Sequence, residues 1–168
     1  MKRLFTILVL IAGLITPSVT KANDLWQQVS IDRAPKNLQL MHPVKFLVYT
    51  MDEAMLKLQM FSLSSDPAQG MTVSLPLPEG TYKDFKVWQT PMMPGELAAK
   101  YPDIKTFTAE AVDNRNITAK LDFTLYGFHA MIYDGKNTSF IDPFDDYHDG
   151  FYMVHYKNDE TRAIADRM

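Results

Sequence analysis

The chain has no cysteine among its 168 residues. That excludes disulfides, a thiolate nucleophile, Cys-ligated zinc and a lipid-modified cysteine at the N-terminus. Glycine is sparse, with seven residues, all isolated, so there is neither a Gly-rich phosphate cradle nor a Gly-x-Ser-x-Gly elbow. No His-Glu-x-x-His sets two imidazoles on one side of a zinc ion. The four histidines, His42, His129, His148 and His155, are scattered. His148 and His155 lie seven apart across a turn into a strand, a spacing that does not fix them on one metal. Scattered polar or core-edge imidazoles are the plain reading. No cofactor is implied.

Long apolar runs are absent except at the start. Lys2 and Arg3 precede an apolar stretch, Leu4 to Ile15, which is too short to span a bilayer comfortably. Thr16, Pro17 and Ser18 follow, then a small-residue site ending at Ala22. This is the three-zone pattern of a secretory signal peptide over residues 1–22, with Asn23 the expected new N-terminus and no stable membrane anchor after cleavage. Cleavage removes three of the seventeen Lys and Arg residues and none of the twenty Asp and Glu residues, leaving fourteen bases against twenty acids. A net acidic chain without a basic stripe is not expected to bind nucleic acid. The 146 residues left of 168 suit one domain, residues 23–157, with a polar tail over 158–168. The product is expected in the periplasm or outside a bacterial cell.

What is present is alternation. Phe46 to Tyr49 is a short apolar strand candidate. Asp52 is placed to cap a helix over Glu53 to Phe61, with Met55, Leu58 and Met60 or Phe61 on its buried side. Ser65-Asp66-Pro67 and Gly70 end it. Beyond, Val73 and Leu75, then Phe85 and Val87, then Phe107, Ala109 and Ala111, and then Leu121, Phe123 and Leu125 mark strands of period two. Pro76 to Gly80 is a turn or sheet edge, since proline cannot donate to a ladder. A short helix is expected from Gly95 to Lys100, stopped by Pro102. Phe128, Ala130 and Ile132 point one way, and His129, Met131 and Tyr133 the other. Asp134-Gly135 signals a hairpin leading into Thr138 to Ile141. Phe151 to Tyr156 reads as a last strand, and the tail from Lys157 looks frayed. Seven or so strands with two short helices predict a mostly β (α+β) fold, an antiparallel sheet or a β-sandwich.

The stretch from Asp142 to Gly150 is acidic: Asp142, Asp145, Asp146 and Asp149 are oxygen ligands at close spacing, the pattern of a calcium loop. Against an EF-hand loop starting at Asp145, Asp149 and Gly150 fit, but positions three and twelve are Tyr147 and Tyr156, so the ligand set fails. A solvated acidic turn is the alternative. Eight Tyr, ten Phe and eleven Met can line a sugar- or peptide-binding surface or fill a β core, and the core is the simpler use.

Several segments in order carry a resemblance. Leu25-Trp26 is followed by Met93-Pro94-Gly95-Glu96-Leu97-Ala98-Ala99-Lys100-Tyr101-Pro102 and Ile104-Lys105-Thr106-Phe107. Then come Gly127-Phe128-His129-Ala130-Met131-Ile132, Ile141-Asp142-Pro143-Phe144, and Tyr152-Met153-Val154-His155-Tyr156-Lys157. From Leu25 to about Lys157 the chain resembles the N-terminal pro-region of secreted bacterial reprolysin-like zinc metalloproteases. In that family a metzincin catalytic domain follows. This sequence ends at Met168 without the zinc-binding motif. The resemblance therefore implies a non-enzymatic role in folding, silencing or delivering a zinc metalloprotease catalytic domain. A pro-domain can silence zinc by taking the coordination position where water sits. With no thiolate available, Asp142, Asp145, Asp146 and His129 are the candidates. Steric blockage by an edge strand laid along the cleft is the alternative, with Gly127, Phe128, His129, Asp142 and Pro143 kept for structure. Two other readings stand beside it: a free-standing exported module binding a sugar or peptide, and a small hydrolase built on His129 near Asp142.

Overall fold

Period-two alternation becomes strand wherever the chain shows it. The computed structural model describes residues 25–35, 43–145 and 149–159. The signal-peptide expectation, His42, Asp146, His148 and the last nine residues lie outside the described residues. The elements are β1 (Trp26–Val29), β2 (Leu47–Met51), α1 (Glu53–Met60), β3 (Met71–Pro76), β4 (Tyr82–Gln89), α2 (Gly95–Lys100), β5 (Lys105–Ala111), β6 (Thr118–Thr124), β7 (Gly127–Tyr133), β8 (Thr138–Pro143) and β9 (Phe151–Tyr156).

All nine strands form one antiparallel sheet in the order β1-β2-β9-β8-β7-β6-β5-β4-β3. From β3 to β9 it is a meander, and β9 is the strand that joins it to β2. The sheet curls on itself: the Tyr82 hydroxyl, on β4, donates to the Trp26 carbonyl on β1 at 3.3 Å, and the Tyr82 and Tyr49 rings meet at 6.1 Å. The expected sheet is thus present, and the sandwich alternative is not. One curled sheet covers its own apolar face, so no second sheet is needed.

Inward residues recur strand by strand: Val73 and Leu75, Phe85 and Val87, Phe107 and Ala109, Leu121 and Phe123, Phe128 and Ala130, Ile141, Tyr152 and Val154. Helix α1 closes this core. Asp52 caps it, its carboxylate accepting from the Met55 amide at 2.9 Å. The cap sets the helical phase, and Leu56 and Met60, four apart, face the core. The expectation for Met55 and Leu58 is corrected: they are 45% and 74% exposed, Met55 one residue and Leu58 two residues out of phase with Leu56. Leu125 is also outside, in the β6–β7 turn.

Strands β2 and β9 are buried on both faces. Behind the main core a second cluster joins Val48 and Met153 to Ala34 and Phe144, with Val29, Phe46 and Phe151 packed against it. The residues from the β1–β2 connection, Ala34 and Phe46, cover the outer face there. The tail is not frayed at its start: Asp159 is buried, and its carbonyl accepts from the Val44 amide at 3.2 Å.

Two core phenols carry a pH signature. Burial, with a smaller contribution from Tyr82, pushes Tyr49 up to about 12. Burial and then the Glu53 carboxylate push Tyr152 further in the same direction. In the unfolded chain tyrosine ionises near about 10. Between the unfolded and folded values the unfolded state has lost the proton and the native state has kept it. Stability is therefore full below about pH 10 and falls as pH rises above it. Urea midpoints measured across the alkaline range should drop steeply, and less steeply in a Tyr49→Phe, Tyr152→Phe double variant. An unchanged slope in that variant would assign the loss to other groups.

Candidate functional site

The motif segments that are far apart in sequence lie on β7, β8 and β9, which are neighbours in the sheet. On β7, Phe128, Ala130 and Ile132 point into the core, so His129 faces outward. Asp142 alternates with buried Ile141 and shares that outer face. Asp122, on β6, pairs with His129 across the ladder.

Asp142 stands between two imidazoles. Its Oδ1 is 3.0 Å from His129 Nδ1 and its Oδ2 is 3.3 Å from His155 Nε2. A carboxylate only accepts, so each of those nitrogens carries a proton and donates. His155 is fully buried and lies against the Phe140 ring at 5.7 Å, whereas the His129 side chain is 29% exposed. His129 lines a shallow groove of about 420 Å³. Asp122, Thr124, Met131, Phe140 and Asp142 line the groove beside it.

The electrostatics follow from crowding. Burial raises Asp142, but the hydrogen bonds from His129 and His155 outweigh it and its carboxyl sits below the ordinary range. Burial lowers His129, yet the Asp142 hydrogen bond and the charges of Asp122, Asp142 and Glu53 leave it raised. Asp122 is raised, by burial first and by the Asp142 charge, against the pull of His129.

Thr124, His129 and Asp142 repeat the order hydroxyl, imidazole, carboxylate of a nucleophile triad. The Thr124 Oγ1 to His129 Nε2 distance is 3.5 Å, longer than the reach of an activated nucleophile, about 2.6–3.2 Å. The same oxygen accepts from the Tyr126 amide at 3.0 Å and faces the Gly127 carbonyl at 3.5 Å. In this arrangement Thr124 holds the β6–β7 turn.

Gly127 ties this patch to the helix. Its φ is +110°, which side chains rarely adopt. An added Cβ would lie 3.3 Å from Glu53 Oε2 and from Pro143 Cγ. The Tyr152 hydroxyl donates to that same Glu53 oxygen at 2.7 Å. Gly127→Ala should therefore cost about 1–3 kcal/mol for the backbone conformation, plus a crowding term. Gly135 also has a positive φ, +95°, but open space where its Cβ would go. Chemical unfolding of both variants should show Gly135→Ala as the milder, and equal losses would remove the crowding argument.

The structure thus brings together Gly127, Phe128, His129, Asp142 and Pro143. Phe128 is core, ringed by Trp26, Phe123 and Tyr152. Pro143 ends β8 and is buried. The acidic stretch is not a solvated turn along its described part. Asp142 is in a strand, Asp145 is 3% exposed, and only Asp149 is in the open. Among the described residues no three His, Asp or Glu side chains are arranged to hold a metal ion. Sequence reading missed Asp122, His155 and Glu53 as partners of His129, Asp142 and Tyr152. Asp122 carried a signal, since it alternates with Leu121 and Phe123 and must face outward.

A second concavity, about 450 Å³, lies where α2 meets β4 and β5. It is lined by Phe61, Met92, Met93, Pro102, Ile104 and Lys105, among others. Comparison with protein-family models, curated proteins and solved structures finds no match to the chain.

Proposed function

We propose that this chain is an exported, non-catalytic domain that binds a secreted zinc metalloprotease catalytic domain and folds or silences it. The observation that supports it is the meeting of Gly127-Phe128-His129, Ile141-Asp142-Pro143 and Tyr152-to-His155 in one patch of three adjacent strands. These are the segments that carry the resemblance to metalloprotease pro-regions. Edge strands β1 and β3 offer backbone for laying along a cleft. The experiment is to mix residues 23–168 with the catalytic domain of a secreted reprolysin-like zinc metalloprotease. Slowed peptide hydrolysis or a higher refolding yield is expected. A catalytic domain neither bound nor slowed nor helped to fold would sink the reading.

A second reading, an exported module that binds a peptide or sugar, is favoured by one observation, the concavity around Met92 and Met93. Flexible thioethers suit an apolar peptide side chain. With Phe61 its single aromatic, the concavity lacks the stacked rings that a sugar site uses. Titration with a peptide library, read by the tryptophan and methyl signals, separates this from the first reading.

A further inference from the structure

The concavity around Met92 and Met93 continues the inward rows of β4 and β5 past the end of the main core. On β4 the inward residues run Phe85, Val87 and then Gln89, and on β5 they run back from Phe107 to Lys105. Phe85, Val87 and Phe107 are buried and apolar, yet the next inward position of each strand is polar and half-buried. Lys105 stands across the ladder from Phe123, and Phe61 packs against that ring at 5.4 Å. Phe61 belongs both to the core and to the lining, so the concavity is a mouth of the curled sheet.

The mouth carries an unanswered positive charge. Lys105 Nζ donates to the Phe61 carbonyl at 3.0 Å and lies 4.6 Å from the centre of the Phe61 ring. The carbonyl takes one of three ammonium N–H groups, and no carboxylate pairs with Lys105 among the described residues. Asp103, the one acid of the lining, is held by Lys57 Nζ at 3.1 Å, and Lys57 lies 5.2 Å from the same ring. Two ammonium groups thus surround Phe61 against one carboxylate. The Thr106 hydroxyl is committed to the Thr90 carbonyl. The Gln89 carboxamide has no partner among the described residues, so Lys105 and Gln89 are the side-chain donors left to the lining.

We infer that this concavity takes the free C-terminus of a peptide that ends in an apolar residue. The last side chain lies among Met92, Met93, Pro102 and Ile104, and the terminal carboxylate accepts from Lys105 Nζ and the Gln89 carboxamide. The inference rests on the peptide-binding reading and names its ligand. An excess ammonium selects an anion, and a carboxylate makes a short, charge-assisted hydrogen bond with it. Unbranched thioethers adapt to apolar side chains of different shape. Pockets that hold free small molecules bury most of them, whereas this mouth is open, with Met92 78% exposed. A peptide has to bury only its last residue there, and a long-chain fatty acid would leave much of its chain in water.

The probes are N-acetyl-Ala-Ala-Leu as the free acid, the same peptide as its C-terminal amide, and octanoate, each titrated into the exported chain. The Met92 and Met93 methyl signals are the readout. The acid is expected to bind at least about tenfold more tightly than the amide, the scale of one hydrogen bond to a charged group, and more tightly than octanoate. Lys105→Met keeps the length of the side chain and should bring the acid down to the affinity of the amide, a split that a merely structural lysine would not produce. Lys136→Gln, exposed in the β7–β8 turn, should keep the difference. The wild-type comparison needs no variant to fold. Equal affinity for acid and amide overturns the inference and leaves the peptide-binding reading standing. Tighter binding of octanoate than of the peptide acid overturns the choice of a peptide. Methyl signals moved by no probe overturn the inference and the peptide-binding reading together.

Discussion

Replacing Phe123 by Ala is expected to lower the unfolding free energy by about 3–5 kcal/mol, the range for emptying a buried aromatic site. Phe123 is fully buried on β6, near the middle of the sheet. Three rings surround it: Phe128 at 5.2 Å, Phe61 at 5.4 Å and Phe107 at 6.3 Å. The Phe61 and Phe107 contacts are near edge-on, at 79° and 83°, the favourable arrangement for aromatic pairs. Phe61 follows α1, so removing the Phe123 ring also loosens the element that closes the core. Domains of this size are stable by about 5–15 kcal/mol in all, so the variant should sit near the edge of folding at body temperature. Urea unfolding followed by tryptophan fluorescence should show a much lower midpoint with an unchanged slope. Phe123→Leu, which keeps most of the volume, should lose far less. A loss below about 1 kcal/mol for the alanine variant would mean the site collapses freely, and that the curled sheet is not packed around this ring.

The strands most legible in sequence are those with one buried face. In β5, β6 and β7 the inward residues alternate cleanly, from Phe107 to Ile132. Helix α2 has the expected bounds because Pro102 follows it, and α1 starts where expected because Asp52 caps it, ending one residue earlier with Phe61 as its C-cap. What failed has a common cause. Trp26 and Val29 of β1 are three apart and pack into different clusters, on opposite faces of the sheet. That spacing does not read as period two. β9 has the expected bounds, Phe151–Tyr156, but it is buried on both faces, so its pattern did not tell which side holds the main core. Alternation tells that one face is covered, but not by what, so sheet and sandwich stayed open until the Tyr82 contact with Trp26 closed the curl. The Met55 and Leu58 error is a phase error. In a short helix two apolar stripes were available, and the cap chose the other one.

The site was legible in its members and not in their pairing. His129 and Asp142 stood out as parts of motifs thirteen residues apart, but register decides whether they meet, and register depends on the β7–β8 hairpin at Asp134-Gly135. His155 belongs to a strand that returns after the acidic stretch, and no local pattern sets it beside Asp142. The acidic stretch misled for the same reason: its three described carboxylates, near in sequence, are split in space, Asp142 in a strand, Asp145 in a buried corner and Asp149 on the surface.

Asp142→Ala is the second large effect, about 2–4 kcal/mol. The variant removes the acceptor from two imidazole N–H donors at once, and an unmet buried donor costs about 1–3 kcal/mol. His155 bears most of this, because its side chain has no exposure, whereas His129 can turn to water through its open edge. A double-mutant cycle separates the two. Asp142→Ala and His129→Ala should couple by about 0.5–3 kcal/mol, the usual span for residues in one network. Asp142→Asn should fall between wild type and alanine: its oxygen can still accept from one ring, and the other ring can accept from its amide after changing tautomer. Equilibrium unfolding of the three variants and the double variant gives all the terms. If the alanine and asparagine variants were equally destabilised, the carboxylate charge would be what matters. If neither lost more than a surface substitution, about 0.5 kcal/mol, the bridge between His129 and His155 would not be formed in solution.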